Sequence, residues 1–297
     1  MSVYLEKLDD VSALSETVRT ILGPGAFTAD RFCDDFADEH KRYEVYKITH
    51  PRGTFVLKRF EKPQRFAAEK AVLEQFSPAL PVPRVLGFYM DSVIMEYIVG
   101  SDLKEMTDDS VLRAAVSLAE IMNAFPIGNG YDRTVAEKEI AYREKRLDAL
   151  KDERDLYAAY ALFFDRVREM PLTLANGDLL PLNCIDNGER VYLIDWEYGG
   201  FMPYALDLGR FLAHSGETSI FPYRMTAAQK ALFCDRLYEA LDEKPERSVF
   251  DRDVKLAVLD ELAMVLSFYD RNPTAERDET FRVYSEQADA LAKELLT

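Results

Sequence analysis

The segment LTLANGDLLPLNCIDNGERVYLIDWEYGG, residues 172–200, decides how this chain is interpreted. Apolar runs typical of buried strands are interrupted there by polar residues at Asp178, Asn183 and Asp195. The stretches LNCID and RVYLID flank Asn187-Gly188, a dipeptide that strongly favours a tight hairpin turn. Such a hairpin would bring the loop that carries Asp178 and Asn183 close to Asp195, at the end of the second arm.

Two carboxylates and one amide oxygen that meet at one point are hard ligands of the kind that Mg²⁺ binds. Waters and phosphate oxygens then complete the octahedron. Asp and Asn are also common turn residues, so each position taken singly would more often have a structural role. Taken together, the three residues match a spaced signature, which favours a Mg²⁺ site over three separate turn residues.

Composition indicates a globular protein, since 48% of the 297 residues are hydrophobic and 12% are aromatic. This length allows two lobes with cores of their own. The first residues lack the apolar core of a signal peptide, and no stretch approaches the ~18 apolar residues of a membrane span. The three isolated cysteines favour a reducing compartment over a zinc site. We therefore expect a soluble, cytoplasmic protein without a membrane partner.

The net charge of -16 disfavours nucleic-acid binding, because phosphate neutralisation needs clustered Lys and Arg. The same charge would steer a cationic small substrate towards the protein. It would equally serve solubility, which is the simpler explanation of the charge by itself.

The order of elements indicates an α+β fold. Alternation predicts strands at 42–49 and 54–60, a helix follows at 63–76, and two further strands fall in 84–90 and 92–99. From Gly100 onward the pattern is mostly helical. The predicted helices begin near Asp108-Asp109 and continue at 134–169, 226–242, 249–270 and 275–296. A boundary near Val99-Gly100 follows, which divides the chain into 1–99 and 100–297.

The words NGDLLPLN and LIDWE resemble the signature of the aminoglycoside phosphotransferase and choline kinase superfamily, whose members have a protein-kinase-like fold. The resemblance implies a small β-rich N-lobe for nucleotide and a larger helical C-lobe with the catalytic loop, the metal site and substrate-binding helices. It implies that Asp178 is the catalytic aspartate that holds the acceptor hydroxyl, and that Asn183 and Asp195 bind Mg²⁺. Asp207 would brace the catalytic loop or cap a helix.

The first third of the chain agrees with this resemblance. Lys58 in FVLK is similar to the strand lysine that contacts the α- and β-phosphates, and Glu69 on the following helix could pair with it. Taken alone, both would be ordinary surface residues. The stretch VIMEYIVG (93–100) resembles the segment whose backbone binds the adenine edge, so Glu96 and Tyr97 would contact the base of ATP or GTP.

The chain departs from the family pattern at two points. The histidine that usually opens the catalytic motif is Asn176, and we expect a mild effect because an amide also donates and accepts hydrogen bonds. The phosphate-covering loop would fall at 34–42, DDFADEHKR, which has no glycine and four acids. Either this loop folds away and Lys41 or Arg42 compensates, or nucleotide binding is weakened.

The predicted activity is transfer of the γ-phosphoryl group of ATP or GTP to a hydroxyl of a small polar, cationic substrate, aminoglycoside-like or an amino alcohol. The alternative is a catalytically weak or inactive kinase-like protein with a binding or regulatory role. A protein kinase is disfavoured because no long activation loop follows Asp195.

Acceptor contacts are predicted at Glu197, Tyr198 and Asp270, although solvent-facing or packing roles remain open for each. Asp260 and Glu261 could also meet ammonium groups, but a solvated helix face explains them as well. The chain has one tryptophan, so an aromatic cage for choline is harder to build. A polar hydroxylated amine therefore ranks above choline itself.

Overall fold

The computed structural model describes residues 3–36, 39–77, 80–216, 219–269 and 275–297. The first part of the chain forms a six-stranded antiparallel sheet with the order β1-β2-β3-β4-β6-β5. Its strands are β1 (Val3–Lys7), β2 (Thr28–Phe36), β3 (Glu39–His50), β4 (Gly53–Arg59), β5 (Val85–Tyr89) and β6 (Ser92–Glu96). The hairpin of β3 and β4 and the pair of β5 and β6 confirm the four strands that alternation predicts.

The strands β1 and β2 were not predicted, and the loop assigned to 34–42 is largely wrong. Residues 34–36 end β2 and residues 39–42 begin β3, with Asp34 opposite Lys41; residues 37–38 lie outside the described part of the chain. Charged pairs across the two strands, such as Arg31 with Glu44 at 2.7 Å, accompany this hairpin. The apolar residues of β2, at 29, 32, 33 and 36, do not alternate, so the sequence pattern does not mark this strand.

Two helices accompany the sheet. The helix α1 (Ser12–Leu22) packs its buried leucines and valine with sheet residues such as Ile48 and Leu57. The helix α2 (Pro63–Phe76) confirms the predicted bounds, and its proline stands at the first turn, where a missing N–H costs little. Its buried face carries Glu69 beside Val72 and Leu73, so a carboxylate is held on the inner side.

The remainder of the described chain is mainly helical. The helices are α3 (Asp108–Ala124), α4 (Thr134–Ala149), α5 (Arg154–Glu169), α6 (Ala205–Ala213), α7 (Ala227–Ala240), α8 (Arg247–Tyr269) and α9 (Ala275–Leu296). The single helical stretch predicted over 134–169 is in fact two helices. The cap of α3 is Thr107, which forms a capping box with Ser110, rather than an aspartate. Among the described residues no helix is long and apolar enough to cross a membrane.

The decisive segment forms short strands between α5 and α6. The predicted hairpin is present as β9 (Cys184–Asp186) and β10 (Val191–Leu193), and β7 (Ser101–Asp102) extends it. The strand β8 (Leu172–Ala175) pairs with β11 (Gly200–Pro203). The Asp178 loop thus leaves β8, and the Asp195 loop returns the chain to its partner strand β11.

One hydrophobic core joins the sheet region to the helical region. It contains Val72 and Val93 from the first part of the chain, together with Leu118 of α3. Trp196 is buried in the same core and donates its indole N–H to the carbonyl of Leu193 at 3.2 Å. This anchor fixes the backbone on which the polar residues at 195 and 197 stand.

Candidate active site

Lys58 joins three separate elements of the fold. Its Nζ lies 2.5 Å from Glu69 Oε2 on α2 and 2.6 Å from Asp195 Oδ1 after β10. Burial alone would lower the pKa of Lys58, but the two carboxylates outweigh burial and hold that pKa above its ordinary value. The predicted pairing of Lys58 with Glu69 is present in the structure, and it extends to Asp195.

Glu69 is almost completely buried, with 1% of its side chain exposed. Burial raises the pKa of Glu69 to about 7, against the opposing pull of the Lys58 ammonium group. The ion pair that anchors Lys58 on α2 therefore weakens as the pH falls below neutrality.

The loop that carries Asp178 is braced from α6. Both oxygens of the buried Asp207 carboxylate accept main-chain hydrogen bonds, from Asn176 N at 2.6 Å and Gly177 N at 3.0 Å. The residue at the N-cap position of α6 is Tyr204, so Asp207 is a brace and not a helix cap. Burial raises the pKa of Asp207 to about 6, and the two N–H donors oppose this shift.

Asn176 ties the two loops together. Its Nδ2 donates to the carbonyls of Ile194 and Asp195 at 3.2 and 3.1 Å, and its Oδ1 accepts from Asp178 N at 3.2 Å. Asp195 has a φ of 61°, an uncommon value for a residue other than glycine, and the contact from Asn176 helps to hold it. The amide at this position both donates and accepts, as the sequence suggested.

Asn183 connects the chain segments that carry Asp178 and Asp195. It ends a short 3₁₀ turn, Pro181–Asn183, and its Nδ2 donates to the main-chain carbonyl of Asp178 at 2.8 Å. The main-chain carbonyl of Asn183 accepts a hydrogen bond at 2.9 Å from the N–H of Ile194, the residue before Asp195. Direct hydrogen bonds thus connect the chain segments of Asp178, Asn183 and Asp195.

The side-chain oxygens of Asn183 and Asp195 fit a magnesium ion chemically. Oδ1 of Asp195 contacts Lys58, which leaves Oδ2 for an ion. The side-chain nitrogen of Asn183 is hydrogen-bonded to Asp178, which leaves Oδ1 of Asn183 for an ion. Within the described ranges, no group of three His, Cys, Asp or Glu side chains is arranged to hold a metal by itself. An ion here would depend on phosphate oxygens and waters for its other ligands, as Mg²⁺ commonly does.

Arg210 is a residue of this site that the sequence did not reveal. It projects from α6, and its Nε and Nη2 lie 3.0 and 2.8 Å from Asp178 Oδ1. Burial raises the pKa of Asp178 above its ordinary value, while the Arg210 guanidinium pulls that pKa down. The only signal in the sequence is the position of Arg210 one helical turn after Asp207.

The residues predicted for the acceptor are held by arginines. Arg65 of α2 lies 2.8 Å from Glu197 Oε1 and donates to the hydroxyl of Tyr198 at 2.6 Å, with its guanidinium over the tyrosine ring. Glu261 is buried against Arg210, and Asp260 is buried against two arginines of α4, so a solvated helix face is wrong for both. Asp270 lies outside the described residues.

The segment predicted for the nucleotide base follows β6. The main-chain N–H of Glu96 donates to Arg84 O at 2.9 Å, so that donor is already used. The Glu96 carboxylate accepts from Arg84 N at 2.8 Å. The Tyr97 ring packs against Lys47, whose Nζ lies 4.7 Å from the ring centroid. A base at this segment would require the carbonyl of Glu96 or the main chain of Tyr97.

Both basic residues of the hairpin at 34–42 have contacts within the sheet region. Arg42 forms two hydrogen bonds with Glu6 of β1, at 3.1 and 2.9 Å. The Nζ of Lys41 lies over the ring of Tyr43 at 4.9 Å, and Tyr43 donates its hydroxyl to the buried Asp34 at 3.3 Å. Of Lys41 and Lys58, Lys58 is the lysine that contacts Asp195 directly.

Comparison with solved structures identifies the fold. A choline kinase from Cryptosporidium parvum is similar with a TM-score of 0.63 and 12% identity, over 97% of this chain and 96% of that one. A choline kinase from Streptococcus pneumoniae gives 0.62 and 14%, over 94% and 98%. An aminoglycoside phosphotransferase from Alicyclobacillus acidocaldarius gives 0.58 and 15%, over 85% and 89%. These likenesses confirm the two-part, protein-kinase-like α+β fold.

Sequence comparison identifies the family. No curated protein matches the chain in a sequence search. The model of the phosphotransferase enzyme family matches residues 40–243, a range that contains Lys58, Asp178, Asn183 and Asp195. Because this range is more than half of the chain, the protein belongs to the phosphotransferase enzyme family.

Proposed function

We propose that this phosphotransferase is a small-molecule kinase, which uses Mg²⁺ to transfer the γ-phosphoryl group of ATP or GTP to a hydroxyl group. The observation that carries the proposal is the meeting of four residues within one site. The Lys58 side chain contacts that of Asp195 at 2.6 Å, and the Asn183 side chain donates to the main-chain carbonyl of Asp178 at 2.8 Å. These are the residue types, in the chain order, that phosphoryl transfer on this fold requires.

Each side chain has a distinct proposed role. Lys58, held by Glu69, neutralises phosphate oxygens, and Asp178 accepts a hydrogen bond from the acceptor hydroxyl and orients its oxygen for attack. Asn183 and Asp195 would hold Mg²⁺, which supplies further positive charge against the triphosphate when it is bound. In this proposal nucleotide lies along residues 1–99, and the acceptor lies on residues 100–297.

The proposed acceptor is a small hydroxylated amine. Similar structures include choline kinases and an aminoglycoside phosphotransferase, whose named substrates carry both hydroxyl and ammonium groups. The net charge of -16 would favour a cation, and Glu197 is a carboxylate beside Asp195 that could exchange Arg65 for an ammonium group. The proposed setting is the cytoplasm, with no nucleic-acid partner.

A second candidate function is a catalytically weak or inactive kinase-like protein that binds nucleotide or a partner. The hairpin at 34–42 favours it, because glycine is absent there and Arg42 is engaged by Glu6. Backbone N–H groups cannot approach phosphate there as they do in a glycine-rich loop.

Two measurements separate these functions. Mg·ATP raises the melting temperature if the native chain binds it, since a ligand of the folded state stabilises that state. A screen of hydroxylated amines, with nucleoside diphosphate release as the readout, then detects transfer. The kinase proposal predicts both a thermal shift and acceptor-stimulated release.

The matched control for catalysis is another aspartate held by an arginine. Asp186 receives two hydrogen bonds from Arg113, at 2.9 and 2.7 Å, much as Asp178 does from Arg210. Asp178→Asn should abolish transfer and Asp186→Asn should leave it unchanged. A thermal shift without release from any acceptor would favour the second function, and equal rates in both variants would contradict the role of Asp178.

A further inference from the structure

The Asp178 carboxylate is held asymmetrically. Both contacts from Arg210 reach the same oxygen, Oδ1, at 3.0 and 2.8 Å. The other oxygen, Oδ2, lies 3.5 Å from Asn183 Nδ2, which is too long for a strong hydrogen bond. One oxygen is therefore fixed by a guanidinium group, and the other remains for a hydroxyl.

Arg210 is itself fixed by a chain of buried polar groups. Its Nη1 lies 2.7 Å from Glu261 Oε2 on α8, and His214 Nε2 lies 3.0 Å from the same oxygen. His214 Nδ1 in turn lies 3.0 Å from the hydroxyl of Tyr284 on α9. Since a carboxylate only accepts, Nε2 of a neutral His214 carries the proton. Three helices thus hold the guanidinium in one orientation.

Arg210 lies between the carboxylates of Asp178 and Glu261. Burial raises the pKa of Asp178 above its ordinary value, although the positive charge of Arg210 opposes that effect. The pKa of Glu261 is held well below its ordinary value: burial acts to raise it, but Arg210 and His214 outweigh burial. Arg210 therefore stays charged between two carboxylates, and only one of them faces the candidate site.

We propose that Arg210 is a positioning residue for phosphoryl transfer, which fixes Oδ1 of Asp178 and leaves Oδ2 to receive the acceptor hydroxyl. This inference rests on the proposed kinase function. It adds α8, through Glu261, to the support of the reacting group; Glu261 lies beyond the residues that match the family.

The test uses Mg²⁺-dependent ATP turnover with water or a screened amine as acceptor. Removal of Arg210 alone would leave Glu261 as a buried unpaired charge, so the reference is Glu261→Gln and the test variant is Arg210→Met with Glu261→Gln. Relative to the reference, kcat should fall about tenfold or more, because the carboxylate loses its orientation. The KM for ATP should stay within about twofold.

A lysine variant separates positioning from a loss of folding. Arg210→Lys with Glu261→Gln should return part of kcat, because an ammonium group can still contact Oδ1 of Asp178. The control is Arg166→Met. Arg166 forms two hydrogen bonds of 2.7 Å with Asp253, which lies on the same helix as Glu261. Loss of this pair should lower only the melting temperature.

Contrary results are distinct. An unchanged kcat in the test variant would overturn the role of Arg210 while the kinase proposal stands. A fall in kcat that lysine does not rescue would assign Arg210 a structural role only, which also overturns the proposal. If the natural chain shows no Mg²⁺-dependent turnover with any acceptor, or if Asp178→Asn turns over normally, the proposed function itself fails.

Discussion

Asn176 forms hydrogen bonds with several chain segments of the candidate site. It bonds to the backbones of both the Asp178 and the Asp195 loops, while its own N–H meets Asp207. The Asn176 residue itself is buried, with 1% of its surface exposed. The family pattern has histidine at this position, and the geometry explains why an amide can replace it: both side chains can donate and accept.

Asn176→Ala should therefore destabilise the loop that carries Asp178. It leaves two carbonyls and one N–H without their side-chain partner, so the free energy of unfolding should fall by about 1–3 kcal/mol. Urea denaturation measures this loss. Turnover should fall by more than the loss of folded protein explains, because Asp195 also loses support. Asn176→His is the matched variant, and retention of turnover there is expected. Equal turnover in the alanine variant would exclude the bridging role.

The raised pKa of Glu69 predicts that the free energy of unfolding depends on pH. Its pKa rises from 4.5 unfolded to about 7 folded, because burial disfavours the charge. A raised folded pKa gives stability that is fully present below pH 4.5 and lost as the pH rises through 7. The unfolding free energy of the natural chain, relative to Glu69→Gln, should fall across this window. A difference that is constant with pH would contradict the buried state of this carboxylate.

At the scale of elements, the loop between β8 and the 3₁₀ turn leaves no space for a side chain. Gly177 has a φ of 80°, and a Cβ there would lie 2.4 Å from the carbonyl oxygen of Tyr198. This close approach brings the Asp178 loop against the chain after Asp195. Backbone proximity, rather than the side chains alone, sets the convergence of the candidate ligands.

Gly177→Ala should combine two penalties, backbone strain and a clash with a main-chain oxygen. Gly188→Ala is the matched control, since its φ is 89° and a Cβ added there would meet no atom within 4 Å. The control should cost about 1 kcal/mol of unfolding free energy, as expected for strain alone. Gly177→Ala should cost clearly more and lose turnover. Similar losses in the two variants by urea denaturation would refute the close approach.

Some elements of the fold were predicted from the sequence, and others were not. The signature at Asp178, Asn183 and Asp195 and the dipeptide at 187–188 carry their structure locally, so the hairpin and the loop were predictable. The strands β1 and β2 were not, because β1 has only five residues and the apolar residues of β2, at 29, 32, 33 and 36, do not alternate. Elements with a strong local signal were thus predicted, and those held by distant partners were not.

The same limit applies to the helix α8. Its adjacent carboxylates, Asp260 and Glu261, have the pattern of a solvated face, yet both are buried. Their partners, Arg146 on α4 and Arg210 on α6, are far away in sequence. No local period reveals such pairs, so Arg210 could be found only from the folded chain.

At the scale of the whole molecule, Lys58 connects the sheet region to the helical region. Its ammonium group contacts α2 through Glu69 and the loop after β10 through Asp195, next to Trp196 of the shared core. Nucleotide bound between the two regions would take over part of these contacts. We therefore expect metal and nucleotide to bind together, with each strengthening the affinity for the other.

The most direct measurement is a Mn²⁺ titration, followed by electron paramagnetic resonance, with and without a non-hydrolysable ATP analogue. Mn²⁺ serves as a probe for Mg²⁺ because both prefer oxygen ligands. The natural chain and Asp186→Asn should bind Mn²⁺ tightly only with the analogue, whereas Asn183→Leu and Asp195→Asn should lose about tenfold or more in affinity, as expected for a lost metal ligand. Unchanged Mn²⁺ affinity in both of those variants would show that these side chains do not share an ion, and would contradict the account.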